Sequence, residues 1–164
     1  MAKVELSGYD LSNCLKQASE FGVAQKGQAL GAMIIHEQDI HALGLPFMQG
    51  LSLTGTYYWD FNDRTRSFAK RITARTNGIP PNATQANTYA AVHHYLRAVA
   101  AIGPVEAKQS GRAVVAQMKR MPIEDNVLSH ASVRPDGRVV SDVHLLQVKA
   151  PAESRSESQD SPHS

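Results

Sequence analysis

The chain has 164 residues, of which 42% are hydrophobic and 20% are charged, and its formal net charge is +2. This content supports a substantial hydrophobic core, and the mixed, nearly balanced charges disfavour a dedicated nucleic-acid surface. One cysteine excludes an internal disulfide, and no apolar run approaches the ~18 residues that a membrane span needs, so we expect neither a nucleic-acid partner nor membrane insertion.

The first fifty residues are predicted to alternate strands and helices. Residues 4–6 and 30–35 have the apolar content of short strands, and residues 39–47 form a short helix in this prediction. A longer helix is predicted over residues 10–21, with Asp10 as its N-cap. Its apolar side is expected to be buried and consists of Leu11, Cys14, Leu15, Ala18 and Phe21.

A strand and a basic helix are predicted next. The segment LSLTGTYY at 51–58 is rich in the β-branched and aromatic residues that favour strands. In the following helix Phe68 and Ile72 share one face, and basic side chains cover most of the remainder, which is typical of a solvated face. The pair Asn77-Gly78 is predicted to end this helix, because both residues tolerate the left-handed conformation.

A long helix is predicted from Ala83 to the pair Gly103-Pro104. Its apolar positions recur at helical spacing and form one stripe in this prediction. The stripe consists of Ala86, Tyr89, Val92, Leu96, Val99 and Ile102.

The remaining segments complete an α/β pattern. A further helix is predicted after Gly111 and ends before Pro122. Residues 132–148 are predicted to form a β-hairpin that turns at Pro135-Asp136-Gly137, and the Ser-rich residues 152–164 are predicted to be disordered. Strands that alternate with helices favour the α/β class, with a mainly parallel sheet, flanking helices and a C-terminal β-hairpin that adds an antiparallel element.

Candidate binding residues follow from a rule for open parallel sheets, in which ligands sit outside the carboxyl ends of the strands. After the first strand, Gly8 would let the backbone approach a ligand and Tyr9 could lay its ring against an apolar group, or Tyr9 could simply pack in a turn. After the strand at 30–35, Glu37 or Asp39 could accept hydrogen bonds from a ligand ammonium group. Asp39 could instead cap the helix that follows.

A third candidate place is the entry of the long helix. Asn82 and Gln85 stand there, and the side-chain amide of Gln85 could serve a polar ligand.

Catalytic and metal sites have little support in the sequence. The run His36-Glu37-Gln38-Asp39-Ile40-His41 differs from H-E-x-x-H, because its histidines are five residues apart and lie ~140° apart around a helix. Neither a nucleophile elbow nor a nucleotide-binding glycine motif is present. We therefore expect no catalytic residue, no metal, no cofactor and no enzyme activity.

Four segments carry a resemblance to a known family. They are LSGYDLSNCLKQASEFGV at 6–23, QGLSLTGTYYWDFNDRTRSFAKRITARTNGIPP at 49–81, QANTYAAVHHYLRAVAAIG at 85–103 and VRPDGRVVSDVHLLQVKAP at 133–151. In this order they resemble the substrate-binding proteins of branched-chain amino-acid ABC transporters, the leucine-binding or type I periplasmic-binding family. The resemblance covers the C-terminal half of that family only.

The resemblance implies a partial type I periplasmic-binding fold, which has two Rossmann-like α/β lobes with mainly parallel sheets. The lobes close by a hinge on a small amino-acid-like or carboxylate ligand, and the closed protein then docks to an ABC permease. It assigns residues 1–50 to the C-terminal lobe, 51–142 to the N-terminal lobe and 143–151 to a crossover strand, with 152–164 as the tail. It also implies an aromatic wall at Gly8-Tyr9, a carboxylate ligand at Glu37 or Asp39, and a helix entry that faces the cleft.

The resemblance leaves two functions open. One is solute binding for an ABC importer, with a truncated chain that binds ligands weakly or not at all by itself. The other is a ligand-sensing or non-functional remnant of the same fold. The family is periplasmic, whereas MAKVELSGYD has no apolar signal-peptide core, so the chain as written is expected to stay in the cytoplasm.

Overall fold

The structure is a computed structural model that describes residues 2–4, 8–23, 26–32, 34–123 and 125–153. The chain divides into two compact units. The first unit comprises residues 1–54 and 145–164, and the second comprises residues 55–144. The predicted disordered tail starts at residue 152, but residues 152 and 153 belong to a short 3-10 helix, Pro151–Glu153, which corrects its start. The rest of the tail, from residue 154 onward, and residues 5 and 6 of the predicted first strand lie outside the described residues.

Among the described residues, helices and strands alternate in the first part of the chain, and four successive helices and then three successive strands follow. The helices are α1 (Gly8–Glu20), α2 (Glu37–Leu43), α3 (Leu45–Met48), α4 (Asp63–Thr73), α5 (Ala83–Ile102), α6 (Pro104–Gln109) and α7 (Gly111–Arg120). The strands are β1 (Ala2–Val4), β2 (Leu30–Ala32), β3 (Ser52–Gly55), β4 (Ser132–Val133), β5 (Val139–Val140) and β6 (His144–Gln147). This mixture of helices and open sheets confirms the predicted α/β class.

The first unit carries a four-stranded sheet in the order β1-β2-β3-β6. β1 and β2 run parallel with Ala2 opposite Leu30, and β3 continues the parallel arrangement beside β2. α1 buries Leu11 and Leu15 as predicted, whereas Phe21 lies after the helix and is 72% exposed, which corrects the predicted apolar side. The core of this unit consists of Leu11, Leu15, Ala32, Ile35, Ile40, Met48, Leu51, Leu53 and Val148.

The second unit packs helices around an aromatic cluster. Phe68 of α4 is buried between Tyr57, whose ring meets it edge-on at 5.9 Å, and Tyr89 of α5 at 4.8 Å. Alanines of α5 and four residues from the segment that follows α7 complete the core. Its buried members are Tyr57, Phe68, Ala86, Ala90, Ile123, Val127, Leu128 and Ala131.

The structure corrects the predicted end of α4 and the predicted extent of the hairpin. α4 ends at Thr73, and Asn77 and Gly78 follow it with φ of 50° and 84°, so the left-handed pair closes the loop after the helix rather than the helix itself. The predicted hairpin is present but consists of β4 and β5 alone. β6 belongs to the sheet of the first unit, where Leu146 packs against its core.

The start of α4 carries a cap that supports a stability prediction. The side chain of Asn62 accepts a hydrogen bond from the Thr65 backbone N–H at 3.0 Å, and the Thr65 hydroxyl accepts one from the Asn62 N–H at 3.0 Å. Asn62→Ala removes the first bond, so the free energy of unfolding should fall by about 1 kcal/mol. Urea titration followed by the fluorescence of Trp59, the one tryptophan, measures this loss.

Ser67→Ala is the matched control for the cap. Ser67 is exposed on the same helix, and alanine there should change the free energy of unfolding by less than about 0.5 kcal/mol. Equal losses in the two variants would contradict the role of Asn62 as a cap.

Candidate ligand-binding site

Two helix starts lie at one edge of the sheet in the first unit. β1 and β2 are adjacent and parallel, so the segments that leave their carboxyl ends emerge at the same edge. α1 begins at Gly8 and α2 begins at Glu37. The backbone therefore brings Gly8-Tyr9 and the acidic segment that contains Glu37 and Asp39 to a common edge.

The boundaries of α1 correct one sequence expectation. Asp10 lies in the first turn of the helix, two residues after its first residue, and is not the N-cap. An acidic residue in this turn still interacts favourably with the helix dipole.

Asp39 caps α2. Its carboxylate accepts a hydrogen bond from the His36 backbone N–H at 3.0 Å, and the side chain is exposed. This hydrogen bond gives a partner to one of the backbone N–H groups at the helix start, as an acidic side chain at the third helical position commonly does. Of the two alternatives for Asp39, helix capping is therefore the one for which the structure shows a hydrogen bond, that from the His36 N–H.

Glu37 has a different environment from Asp39. It is the first residue of α2 and is half-buried. Burial raises the pKa of its carboxyl, and the raised pKa is opposed by its own backbone N–H and by the nearby His36 and His41. A carboxylate that is partly withdrawn from water gains more from a cationic partner than an exposed one does. Of the two acids, Glu37 is therefore better suited to an ammonium group.

The third predicted place lies in the second unit, at the start of α5. The Asn82 side chain accepts a hydrogen bond from the Gln85 backbone N–H at 3.0 Å, and the Gln85 side-chain oxygen accepts one from the Asn82 N–H at 3.0 Å. These two residues thus form a reciprocal cap. Their ligand role stays a prediction.

A pocket beside the residues that follow α7 was not predicted from the sequence. This open pocket of about 510 Å³ is lined in part by Arg64, Asp125 and His130. Asp125 shapes it, because one carboxylate oxygen accepts hydrogen bonds from the backbone N–H groups of Val127 at 2.7 Å and Leu128 at 2.8 Å. An Asp two or three residues before a pair of apolar residues is the local signal for such a turn.

No group of three or more His, Cys, Asp or Glu side chains among the described residues could hold a metal ion. None of the helices described is both long enough and apolar enough to cross a bilayer.

The fold and the candidate site together define an α/β protein with polar groups at the carboxyl edge of a parallel sheet, which is the architecture of small-molecule binding proteins. The chain belongs to the periplasmic binding protein family, whose model matches residues 6–155. This membership confirms the family resemblance carried by the four sequence segments. A comparison with curated proteins gives no match.

Two solved structures from Burkholderia are similar to the chain. One is a branched-chain amino acid ABC transporter periplasmic ligand-binding protein of Burkholderia xenovorans, with 37% identity and a TM-score of 0.81 over 94% of this chain and 40% of that one. The other is a periplasmic binding protein of Burkholderia mallei, with 37% identity and a TM-score of 0.80 over 92% of this chain and 38% of that one.

A third relative supports the fold alone. The amino acid ABC transporter substrate-binding protein of Pseudomonas fluorescens has 24% identity and a TM-score of 0.70 over 91% of this chain and 39% of its own. The chain thus spans about two fifths of the length of the solved structures it matches, at 40%, 38% and 39%.

Proposed function

We propose that this chain is part of the solute-binding component of an ABC importer and that it contributes one side of a site for an amino-acid-like ligand. The observation that supports this most is the sheet edge of the first unit, where Gly8-Tyr9 and Glu37 begin two helices after adjacent parallel strands. The site would bind by fixed polar groups and would perform no chemistry.

Glu37 is the residue that we propose for the ligand ammonium group. An ionised carboxylate accepts strong, charge-assisted hydrogen bonds from an ammonium, and partial burial strengthens the attraction. Gly8 would allow the backbone to approach the ligand, and Tyr9 would supply an aromatic wall for an apolar side chain. Asp39 would support the site indirectly by holding the start of α2.

The wider arrangement is also a proposal. Residues 1–50 would belong to the C-terminal lobe, residues 51–142 to the N-terminal lobe and residues 143–151 to a crossover strand. Asn82 and Gln85 would then face the cleft between the lobes. Closure of the lobes on the ligand in the periplasm would precede docking to the permease.

A chimera tests the proposed function. Replacing the matching 40% of the Burkholderia xenovorans relative by this chain supplies the rest of the fold. We expect calorimetry to detect micromolar binding of L-leucine, L-valine or another natural amino acid to the chimera. The isolated chain should bind none of them at millimolar concentration, because much of the site would be absent.

Circular dichroism of the chimera serves as the folding control. A folded chimera that binds none of the twenty amino acids would count against an amino-acid site. Micromolar binding by the isolated chain would instead show that its own residues suffice.

A further inference from the structure

The second unit contains a cavity of about 280 Å³ between α5, α7 and the hairpin of β4 and β5. Ile123, Leu128 and Val133 belong to its apolar lining. Asn87 and Ala91 also line it and are exposed, so they mark its mouth. A mostly apolar cavity with a few polar groups is the usual form of a small-molecule site.

One buried polar atom in the lining lacks a partner. His94 lines the cavity and is 2% exposed, and its Nε2 lies 2.9 Å from the Met118 backbone oxygen. A carbonyl oxygen only accepts, so Nε2 carries the proton and Nδ1 of the neutral ring is an acceptor. No described residue donates a hydrogen bond to this buried Nδ1. An unpaired buried acceptor costs free energy, and a donor inside the cavity would remove that cost.

The other polar side chains of the lining are neutral. The Thr56 hydroxyl donates a hydrogen bond to the Asn87 side-chain oxygen at 2.9 Å, so its proton is already in use. Ser141 contributes a second hydroxyl. Among the described residues, no Asp, Glu, Lys or Arg lines the cavity. A charged ligand would lose its hydration there without gaining an opposite charge, which excludes free amino acids as occupants.

The volume of the cavity sets the size of the occupant. An engineered apolar cavity of about 150 Å³ is large enough for benzene. The cavity here has about 280 Å³, so it can hold a substituted benzene or two fused aromatic rings. Indoles and phenols combine such rings with one N–H or O–H donor, which is the group that an unpaired acceptor requires.

We propose that this cavity binds a small neutral aromatic molecule with a single N–H or O–H donor, an indole or a phenol, and that the donor hydrogen-bonds to His94 Nδ1. The ring fills the apolar part of the cavity. The site is independent of the proposed amino-acid site, because it lies wholly in the second unit whereas Glu37 lies in the first. A ligand that binds only the folded state also stabilises the second unit.

Calorimetry of the full chain with two matched ligands tests the proposal. Indole and benzofuran have nearly the same shape, but benzofuran has an ether oxygen where indole has its N–H and therefore lacks the donor. We expect indole to bind with a Kd below about 1 mM, which is within reach of a ligand of about nine heavy atoms, and to raise the Tm of the chain. Benzofuran should bind at least about fivefold more weakly.

A variant of the histidine assigns the hydrogen bond. His94→Phe removes the acceptor and keeps a planar ring at this position. It should bind indole and benzofuran with affinities within about twofold of each other. A folded variant that keeps the preference for indole would overturn the role of His94. The comparison of the two ligands on the unchanged chain does not depend on this variant.

A second pair of variants locates the ligand. Val133→Phe places a larger side chain in the lining and should weaken indole binding at least about tenfold. Val140→Phe is the matched control, because Val140 lies on the other strand of the hairpin, is 44% exposed and is not a lining residue. Its affinity should stay within about twofold of the parent. Circular dichroism checks that both variants fold.

The remaining outcomes are also decisive. Indole that neither binds nor raises the Tm at millimolar concentration would overturn the proposal and leave the cavity to solvent. Equal affinities of the parent for indole and benzofuran would overturn it as well, and so would a folded Val133→Phe variant that binds indole as tightly as the parent. A chimera without amino-acid binding would leave these results untouched, because no amino acid enters the experiment.

Discussion

Replacement of Phe68 by alanine is expected to lower the free energy of unfolding by about 3–5 kcal/mol. Phe68 is 1% exposed and contacts the rings of Tyr57 and Tyr89, so alanine would leave a cavity among aromatic side chains. Small domains are stable by only about 5–15 kcal/mol, and this loss would therefore remove much of the stability of the second unit.

Trp59 makes the loss measurable in the second unit. It packs against the same cluster as Phe68, and its fluorescence should report unfolding of this cluster during urea titration. Phe61→Ala is the matched control, because Phe61 is half exposed and its main ring contact is with His144 at 4.3 Å. Its replacement should lower the free energy of unfolding by about 1 kcal/mol or less. Similar losses in both variants would contradict the assignment of Phe68 to the centre of the core.

The predicted bounds of α5 match the structure. The helix begins at Ala83 and ends before Gly103, whose φ is 89° and which precedes a proline. The cap at Asn82, which the sequence analysis assigned only to a ligand, is a further local signal for its start. These signals act within a few residues of the chain and need no tertiary contact. The same explanation holds for the turn between β4 and β5, where Gly137 has a φ of 88°.

The face that α5 buries was predicted only in part. The predicted stripe contained Ala86 and Tyr89, which belong to the core, but also Val92 and Leu96, which are exposed. A hydrophobic pattern ranks valine and leucine above alanine, whereas close contact between helices selects small residues. On a helix that is apolar on two sides, the pattern alone does not indicate which side a given neighbour covers.

The sequence predicted which edge of the sheet holds the candidate site. It did not predict which of the two acids there caps α2 and which is free of that role. Glu37 and Asp39 both stand in the first turn of α2, so residue type and position allow either to bind a ligand. The hydrogen bond from the His36 N–H to Asp39 and the half-buried position of Glu37 separate them. Both features depend on side-chain direction, which spacing along the chain does not specify.

Glu37→Gln in the chimera should weaken amino-acid binding by about 10- to 100-fold. This range corresponds to the loss of a hydrogen bond between charged groups, about 1.5–3 kcal/mol, at 1.36 kcal/mol per factor of ten. Asp39→Asn is the matched control, because it removes a neighbouring charge while an amide oxygen can still cap α2. Its affinity should stay within about threefold of the parent, and equal losses would contradict the choice of Glu37.

The pH dependence of the isolated chain gives Glu37 a test that needs no ligand. Burial raises the pKa of this carboxyl, so the folded state holds the proton more tightly than the unfolded state does. The contribution of Glu37 to stability is therefore greatest at low pH and falls as the pH rises from the ordinary Glu value toward the raised one. Glu37→Gln should be more stable than the parent above the raised pKa, and its stability should no longer fall with pH over this range. Thermal unfolding across the acidic range measures both effects.

In the chimera the same ionisation should make amino-acid affinity rise with pH, because only the carboxylate form attracts an ammonium. A parent and a Gln variant with identical slopes would show that Glu37 is as well solvated when folded as when unfolded, and the reason for choosing it over Asp39 would be lost.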